Sequence, residues 1–302
     1  MIWVTWRQHR TEAILASLIL VGLSVAVGYS TWDIDQVRQS LGSSDQSTAL
    51  VALSNRAGGA IAVISTFLLA VPLLVGTFVG APMFSRDLEQ GTYQLIWTQS
   101  VTRRKWLVAT LLMVIVPAIA GAAIIAFLAT RWIAAQGDLT NPWYYYDEQG
   151  FVFVAYVVFA IALGAVAGVV IRRVVPAMAV TSAAYVAIRA AIELFLRPNF
   201  ISPDRISQSS AVPDGSWVLS TSYTDKSNNP VSSDRVAELM RGAGRLPGTV
   251  TDYLHSLGVQ SWISYQPSER FWSFQVIEAS IFAVLGVLVV CIGLFWIARR
   301  ST

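Results

Sequence analysis

Six long apolar stretches run through this chain, and each is long enough to cross a membrane as a helix. They cover residues 13–31, 57–80, 107–131, 151–171, 174–196 and 271–298. An apolar helix needs about 20 residues to cross the roughly 30 Å hydrocarbon layer of a bilayer. Only 13% of the residues are charged, whereas soluble domains have about 25%. The sequence therefore predicts an all-α membrane protein with six transmembrane helices and argues against a soluble enzyme.

The charges between the apolar stretches are sorted by sign, and this sorting predicts the orientation of the chain. Six spans place both termini on one side. The segments on that side hold ten basic and three acidic residues. Short cytoplasmic loops carry an excess of Lys and Arg, so we expect both termini to be cytoplasmic. The net charge of +3 then reflects membrane topology, and we expect no nucleic-acid partner.

The same topology divides the chain into four parts. They are a cytoplasmic interfacial segment at 1–12, helices one to five at 13–196 with a cytoplasmic connection at 81–106, an extracellular loop domain at 197–270, and helix six with a cytoplasmic tail at 271–302.

The extracellular part is predicted to be small and rich in loops. It contains two possible short helices, at 233–240 and 249–257. The single cysteine, Cys291, lies inside the last span, so no disulfide can form within the chain. The extracellular domain must therefore hold its shape without one.

The cytoplasmic connection at 81–106 is polar and charged. Pro82 marks the end of the second span, and the residues from Ser85 to Gln90 are typical of a short helix. Ser85 is a suitable N-cap, and the acidic residues that follow suit the positive end of a helix. Gly91 then ends or bends it. An ordinary positive-inside loop would explain the basic residues of this connection, but not the short helix.

The chain lacks the motifs of several enzyme classes. It has two lysines, and neither follows a glycine-rich phosphate-binding loop. The hydrolase motif Gly-x-Ser-x-Gly and the metalloprotease motif His-Glu-x-x-His are also absent from the sequence. Its two histidines, His9 and His255, are predicted on opposite sides of the membrane. We therefore expect no enzyme activity, no cofactor and no metal in this chain.

Three ionisable residues lie inside the apolar spans, namely Arg189, Glu193 and Glu278. A charge at mid-membrane costs at least about 2.5–3.5 kcal/mol on insertion scales, so each residue needs a partner or water. Arg189 and Glu193 are four residues apart and share a helix face, and Glu278 is expected at a similar depth. Two interpretations stay open: an ion cluster that packs helices together, or a polar path for a substrate.

Two pairs of glycines are each spaced by four residues, Gly76 with Gly80 and Gly164 with Gly168. This spacing lets two helix backbones approach closely. We expect a close helix contact at these positions, either within one subunit or between subunits.

The segment after the second span resembles the membrane subunits of ABC-2 type exporters. In that family an arginine and acidic residues precede Gly-Thr, and a Ser/Thr-Arg pair opens the third span. Here the corresponding letters are FSRDLEQGT at 84–92 and TRR at 102–104. The opening run WVTWRQHR at 3–10 is similar to an actinobacterial branch of the family.

This resemblance implies a permease half-transporter that has no motor of its own. Two copies of a separate cytoplasmic ATP-binding subunit would bind the ATP and Mg and dock on the inner face. A second permease subunit, expected to be identical, would complete a homodimer in the plasma membrane. Residues 1–12 would form the interfacial elbow. The residues implied to couple to the ATP-binding subunit are Arg86, Asp87, Glu89, Gln90, Gly91 and Thr92.

We therefore expect a multi-pass exporter permease that moves an amphipathic or hydrophobic substrate, such as a drug, lipid or peptide, by alternating access. A second function stays open on the sequence. The chain would then be a membrane sensor or immunity protein that binds an extracellular ligand and moves nothing. An adjacent gene for an ATP-binding subunit would favour transport.

Overall fold

Long α-helices make up most of the structure, a computed structural model that describes residues 2–41, 46–91, 103–137, 140–208, 210–243 and 250–299. The helices are α1 Ile2–Leu41, α2 Gln46–Val75, α3 Pro82–Glu89, α4 Arg103–Gln136, α5 Gly150–Ile171, α6 Val174–Ala191, α7 Ser233–Ala243, α8 Val250–Ser256 and α9 Phe271–Arg299. The strands are β1 Asp204–Ser207, β2 Trp217–Thr224 and β3 Gln260–Gln266. Wider π-helical turns follow α2 at Gly76–Gly80 and α6 at Ile192–Leu196.

Five helical segments within the described ranges are long and apolar enough to cross a membrane. They are Gly58–Glu89, Leu107–Gln136, Pro142–Ile171, Val174–Asn199 and Ser268–Trp296. They correspond to the second to sixth predicted spans, and the mostly helical architecture agrees with an all-α membrane protein. The predicted first span, 13–31, lies in α1, where many side chains fall outside the described residues. The count of six spans and the cytoplasmic placement of both termini stay predictions.

Helix α1 passes through the predicted end of the interfacial segment at residue 12 without a break. It is continuous from Ile2 to Leu41. No proline occurs in this range, so every residue after the first turn retains an N–H to donate to the helix.

The chain folds as two compact units. The first contains residues 1–140, 144–192 and 275–302, and the second contains residues 141–143 and 193–274. Helix α5 is the central helix of the first unit, because 61% of its most apolar window is buried against 17–28% in the other four candidate spans. It packs against α2, α3, α4 and α6. A helix that is apolar on all sides is expected at such a position.

The two glycine pairs face each other inside the first unit. A Cβ on Gly76 would come within 2.7 Å of the Ala160 side chain, and a Cβ on Gly80 within 2.9 Å of the Ile161 carbonyl oxygen. On the opposite helix, a Cβ on Gly164 would clash with the backbone of Gly76 and Gly80. The predicted close helix contact is confirmed, and it lies within one subunit.

The second unit is built on a three-stranded antiparallel sheet in the order β1-β3-β2. Helices α7 and α8 contribute Val236 and Leu254 to a small core beside the sheet, together with Val259. A separate aromatic cluster includes Trp143 stacked on Trp217, with ring centroids 5.3 Å apart.

The two short helices predicted in this part of the chain are confirmed as α7 and α8. The sheet was not predicted. Two of its strands, WVLSTSYT and QSWISYQ, contain several aromatic and β-branched residues, which are enriched in strands. The Ser, Asn, Pro and Gly content around them favoured loops instead.

Candidate functional site

Helix α3 carries the charged segment that follows the second apolar stretch. The prediction that this helix starts at Ser85 is wrong. It starts at Pro82, because the π-helical turn leads into it through Ala81, which already has helical φ and ψ. Proline suits a first helical turn, where its missing N–H breaks no bond. Ser85 is fully buried inside the helix, and its hydroxyl donates a 2.8 Å hydrogen bond to the Ala81 carbonyl oxygen.

The two halves of α3 differ in exposure. Its first four residues, from Pro82 to Ser85, are buried. The exposed or half-buried polar residues at its end are Arg86, Asp87, Glu89 and Gln90. Gly91 follows with φ at 73°, a left-handed conformation that ends helices and favours glycine. The predicted helix end at Gly91 is confirmed, and Thr92 lies outside the described residues.

Glu89 connects α3 to the start of α6. Its Oε2 atom accepts a 2.8 Å hydrogen bond from the backbone N–H of Val174, the first residue of α6. The N-cap residue of α6, Arg173, makes no side-chain cap. The first N–H groups of a helix have no partner within the helix, and a carboxylate suits the positive end of the helix dipole. Glu89 therefore caps a helix that lies 85 residues away in sequence.

A largely buried polar cluster links α5, α6 and α9 near the other end of α6. Arg189 Nη2 lies 3.0 Å from Asp147 Oδ2, with the side chains 11% and 14% exposed. The Tyr156 hydroxyl lies 2.8 Å from Asp147 Oδ1 and 2.6 Å from Glu278 Oε1. The Arg189 guanidinium also lies over the Tyr156 ring, with Cζ 4.8 Å from the ring centroid. Tyr156 thus joins Glu278 to Asp147, and Asp147 in turn pairs with Arg189.

Two neighbouring contacts fix the segment that precedes α5. Glu148 is buried, and its Oε1 accepts a 2.5 Å hydrogen bond from the Ser65 hydroxyl of α2. Gln275 of α9 is fully buried, and its amide joins this segment to the first turn of α5. Its Oε1 accepts from the Val152 N–H at 3.0 Å, and its Nε2 donates to the Tyr146 carbonyl oxygen at 2.8 Å. Buried polar groups of this kind need such partners.

The structure brings together two of the three charges predicted for the spans. Arg189 and Glu278 both contact the Asp147–Tyr156 pair, whereas Glu193 is exposed and belongs to the second unit. Sequence reasoning missed Asp147 as a partner of Arg189. One signal was available, since the polar run YYYDE at 144–148 directly precedes an apolar stretch. In the described part of the chain, no group of three or more His, Cys, Asp and Glu side chains could hold a metal ion.

A family model described as ABC-2 membrane transporter related matches residues 10–197, which is more than half of the chain. The chain belongs to this family. Searches of curated proteins and of solved structures gave no match.

Membership in the ABC-2 membrane transporter related family fits a membrane permease and implies partnership with an ATP-binding subunit and a lipid bilayer. The matched range includes α3, the Glu89–Val174 contact and the Arg189–Asp147 pair. It ends at residue 197, before the strands and helices of the second unit. The match therefore covers most of the helical unit, whereas helix α9 and most of the second unit lie beyond it.

Proposed function

We propose that this chain is the permease subunit of an ABC exporter, driven by a separate cytoplasmic ATP-binding subunit. The observation that carries the proposal is the position of α3. This short helix ends in exposed polar residues, while its first half is buried against the central helix α5. A partner that binds the exposed end would therefore act on the helical core directly. The family match covers this region of the chain.

The contact between α3 and α5 suits transmission of force. Ser85 N and the Ala81 carbonyl oxygen lie so near Gly168 that a Cβ there would approach them to 3.2 and 2.5 Å. Backbone packed on backbone leaves no flexible side chain in between, and close-packed interiors transmit strain. We expect α3 and the inner end of α5 to move as one rigid unit.

The proposed cycle is alternating access. ATP and Mg bind to two copies of the partner subunit, whose closure moves the α3 helices of a permease homodimer in the plasma membrane. The helices then repack between an inward-open and an outward-open arrangement. A substrate is transported only if the two arrangements bind it differently. The exposed apolar side chains of the helices suit an amphipathic or hydrophobic drug, lipid or peptide.

Purification tests this function. The full chain is expressed with any ATP-binding protein encoded beside its gene, purified by a tag on the permease, and reconstituted in liposomes. We expect the ATP-binding protein to co-purify and its ATPase rate to rise with amphipathic compounds such as ethidium. An assembly without an ATP-binding protein would overturn the proposal and favour a sensor or immunity protein.

A further inference from the structure

Helix α6 makes polar contacts with other elements at three positions along its length. At its first residue, the Val174 N–H donates to Glu89. Eight residues later, Ser182 Oγ lies 2.8 Å from Thr77 Oγ1 of the π-helical turn. Near its end, Arg189 pairs with Asp147. Fifteen residues separate Val174 from Arg189, a distance of about 22 Å along a helix. One helix therefore connects the end of α3 with the buried polar cluster.

The N-cap residue of α6 provides no side-chain acceptor for the first N–H of this helix, and Glu89 provides one. Arg172 adopts a left-handed conformation with φ at 59°, and its N–H closes the end of α5 on the Gly168 carbonyl oxygen. Arg173 is extended and provides no side-chain cap for α6. The carboxylate at the Val174 N–H comes instead from α3. A displacement of α3 thus acts on α6 through Glu89 as well as on α5 through the glycine contact.

From this geometry we propose that Glu89 is a positioning residue that transmits movement of α3 to α6 and so to the Arg189–Asp147 pair. This role differs from docking, because the partner of Glu89 is a backbone group of its own chain. The inference rests on the proposed function, since the movement begins with an ATP-binding subunit. Arg86 and Glu89 are both exposed on α3, but Glu89 differs from Arg86 in accepting the Val174 N–H of α6.

A substrate-independent assay can follow α6. Cys291 is the single cysteine and is exposed, so Cys291→Ser gives a cysteine-free background. Ala191→Cys then places one thiol on the exposed last turn of α6, two residues beyond Arg189 and toward the end of the predicted span. The reaction rate of this thiol with a membrane-permeant maleimide is measured with and without ATP in the assembly with the ATP-binding subunit. The change in rate on adding ATP reports movement of α6.

Four forms are compared in this background: no further change, Glu89→Ala, Glu89→Gln and the control Glu269→Ala, which removes an exposed carboxylate from the second unit. We expect Glu89→Ala to reduce the ATP-dependent change about fivefold or more when assemblies that hold equal amounts of bound ATP-binding subunit are compared. Glu89→Gln keeps an acceptor for the Val174 N–H and should restore most of the change. The control should behave like the parent.

The outcomes that overturn the inference are distinct. Loss of the ATP-binding subunit in Glu89→Ala would make Glu89 a docking residue and leave the proposed function intact. A change in thiol reaction rate in Glu89→Ala as large as in the parent would show that Glu89 transmits nothing to α6. A parent form that binds the subunit but shows no change in this rate on adding ATP would show that α6 does not move, and the inference would fail. Failure of the parent form to bind any ATP-binding subunit would overturn the proposed function and this inference together.

Discussion

Arg189 and Asp147 form a largely buried ion pair, with Nη2 and Oδ2 separated by 3.0 Å. We expect Arg189→Ala to lower the free energy of unfolding by about 3–5 kcal/mol, because a buried acid is left without its cation. The double variant Arg189→Met with Asp147→Leu should recover much of this loss, since it removes both charges together. Unfolding of the full chain in mixed detergent micelles, followed by tryptophan fluorescence, measures both effects.

An exposed pair provides the matched control for this prediction. Arg235 Nη1 lies 2.6 Å from Glu238 Oε2, but the two side chains are 59% and 62% exposed. Arg235→Ala should change the free energy of unfolding by less than about 1 kcal/mol. Equal losses in Arg189→Ala and Arg235→Ala would contradict the assignment of the first pair to a buried packing role.

Replacing glycine by alanine should lower the free energy of unfolding at Gly164, in the close helix contact, but not at Gly28, outside it. Gly164→Ala places a Cβ against the backbone of Gly76 and Gly80, which cannot rotate away. We expect a loss of about 1–3 kcal/mol, as for an overpacked core. Gly28→Ala in α1 is the control, because a Cβ there meets nothing within 4 Å and alanine favours helices by up to about 1 kcal/mol. A neutral Gly164→Ala in the same unfolding assay would rule out the close contact.

Much of the helical architecture could be predicted from the sequence because it depends on local patterns. The length of the apolar stretches predicts five of the helical segments, and the four-residue spacing of Gly164 and Gly168 predicts a close contact. The sequence does not say which helix fills that contact, because the partner pair at Gly76 and Gly80 lies almost 90 residues away. Tertiary pairing of this kind depends on how the helices pack as a set.

At the candidate sites, too, the sequence predicts local relations but not the tertiary partners. The sequence places Arg189 and Glu193 on one helix face, a local relation, but the ion pair forms with Asp147 from the segment before α5. Glu89 was assigned to a contact with another subunit because its neighbours match a family signature. Its hydrogen bond to Val174 depends on the tight turn between α5 and α6, which brings a helix start beside the end of α3.

Asp225 predicts a pH dependence in the second unit. It accepts backbone hydrogen bonds from Asn229 and Ser227 at 2.8 Å, and chiefly the bond from Asn229 lowers the pKa of this carboxyl below its usual value. A carboxyl whose pKa is lower in the folded state stabilises that state above its unfolded pKa and ceases to do so as pH falls through the folded pKa.

The variant Asp225→Asn isolates this effect from other carboxyl groups. At neutral pH we expect the wild-type chain to melt at a higher temperature than the variant, and the gap should narrow as the pH falls below the ordinary aspartate pKa of about 3.9. Thermal unfolding of both full-length chains across this pH range makes the comparison. A gap that stays constant or widens on acidification would be inconsistent with a carboxylate that holds this turn.

The exposed end of α3 gives the last prediction, which concerns docking. Arg86 is exposed and Asp87 is half-buried, so replacing both by alanine should leave the fold intact. If this surface binds the ATP-binding subunit, the double variant should bind it roughly tenfold more weakly, because truncated interface arginines often cost more than 1 kcal/mol. Stimulated ATPase activity should fall in proportion to the subunit lost. Arg205→Ala, which removes an exposed arginine from β1, should bind like wild type. Full binding and full stimulation in the double variant would move the docking surface away from α3, whereas a lowered melting temperature would mean that these residues support the fold instead.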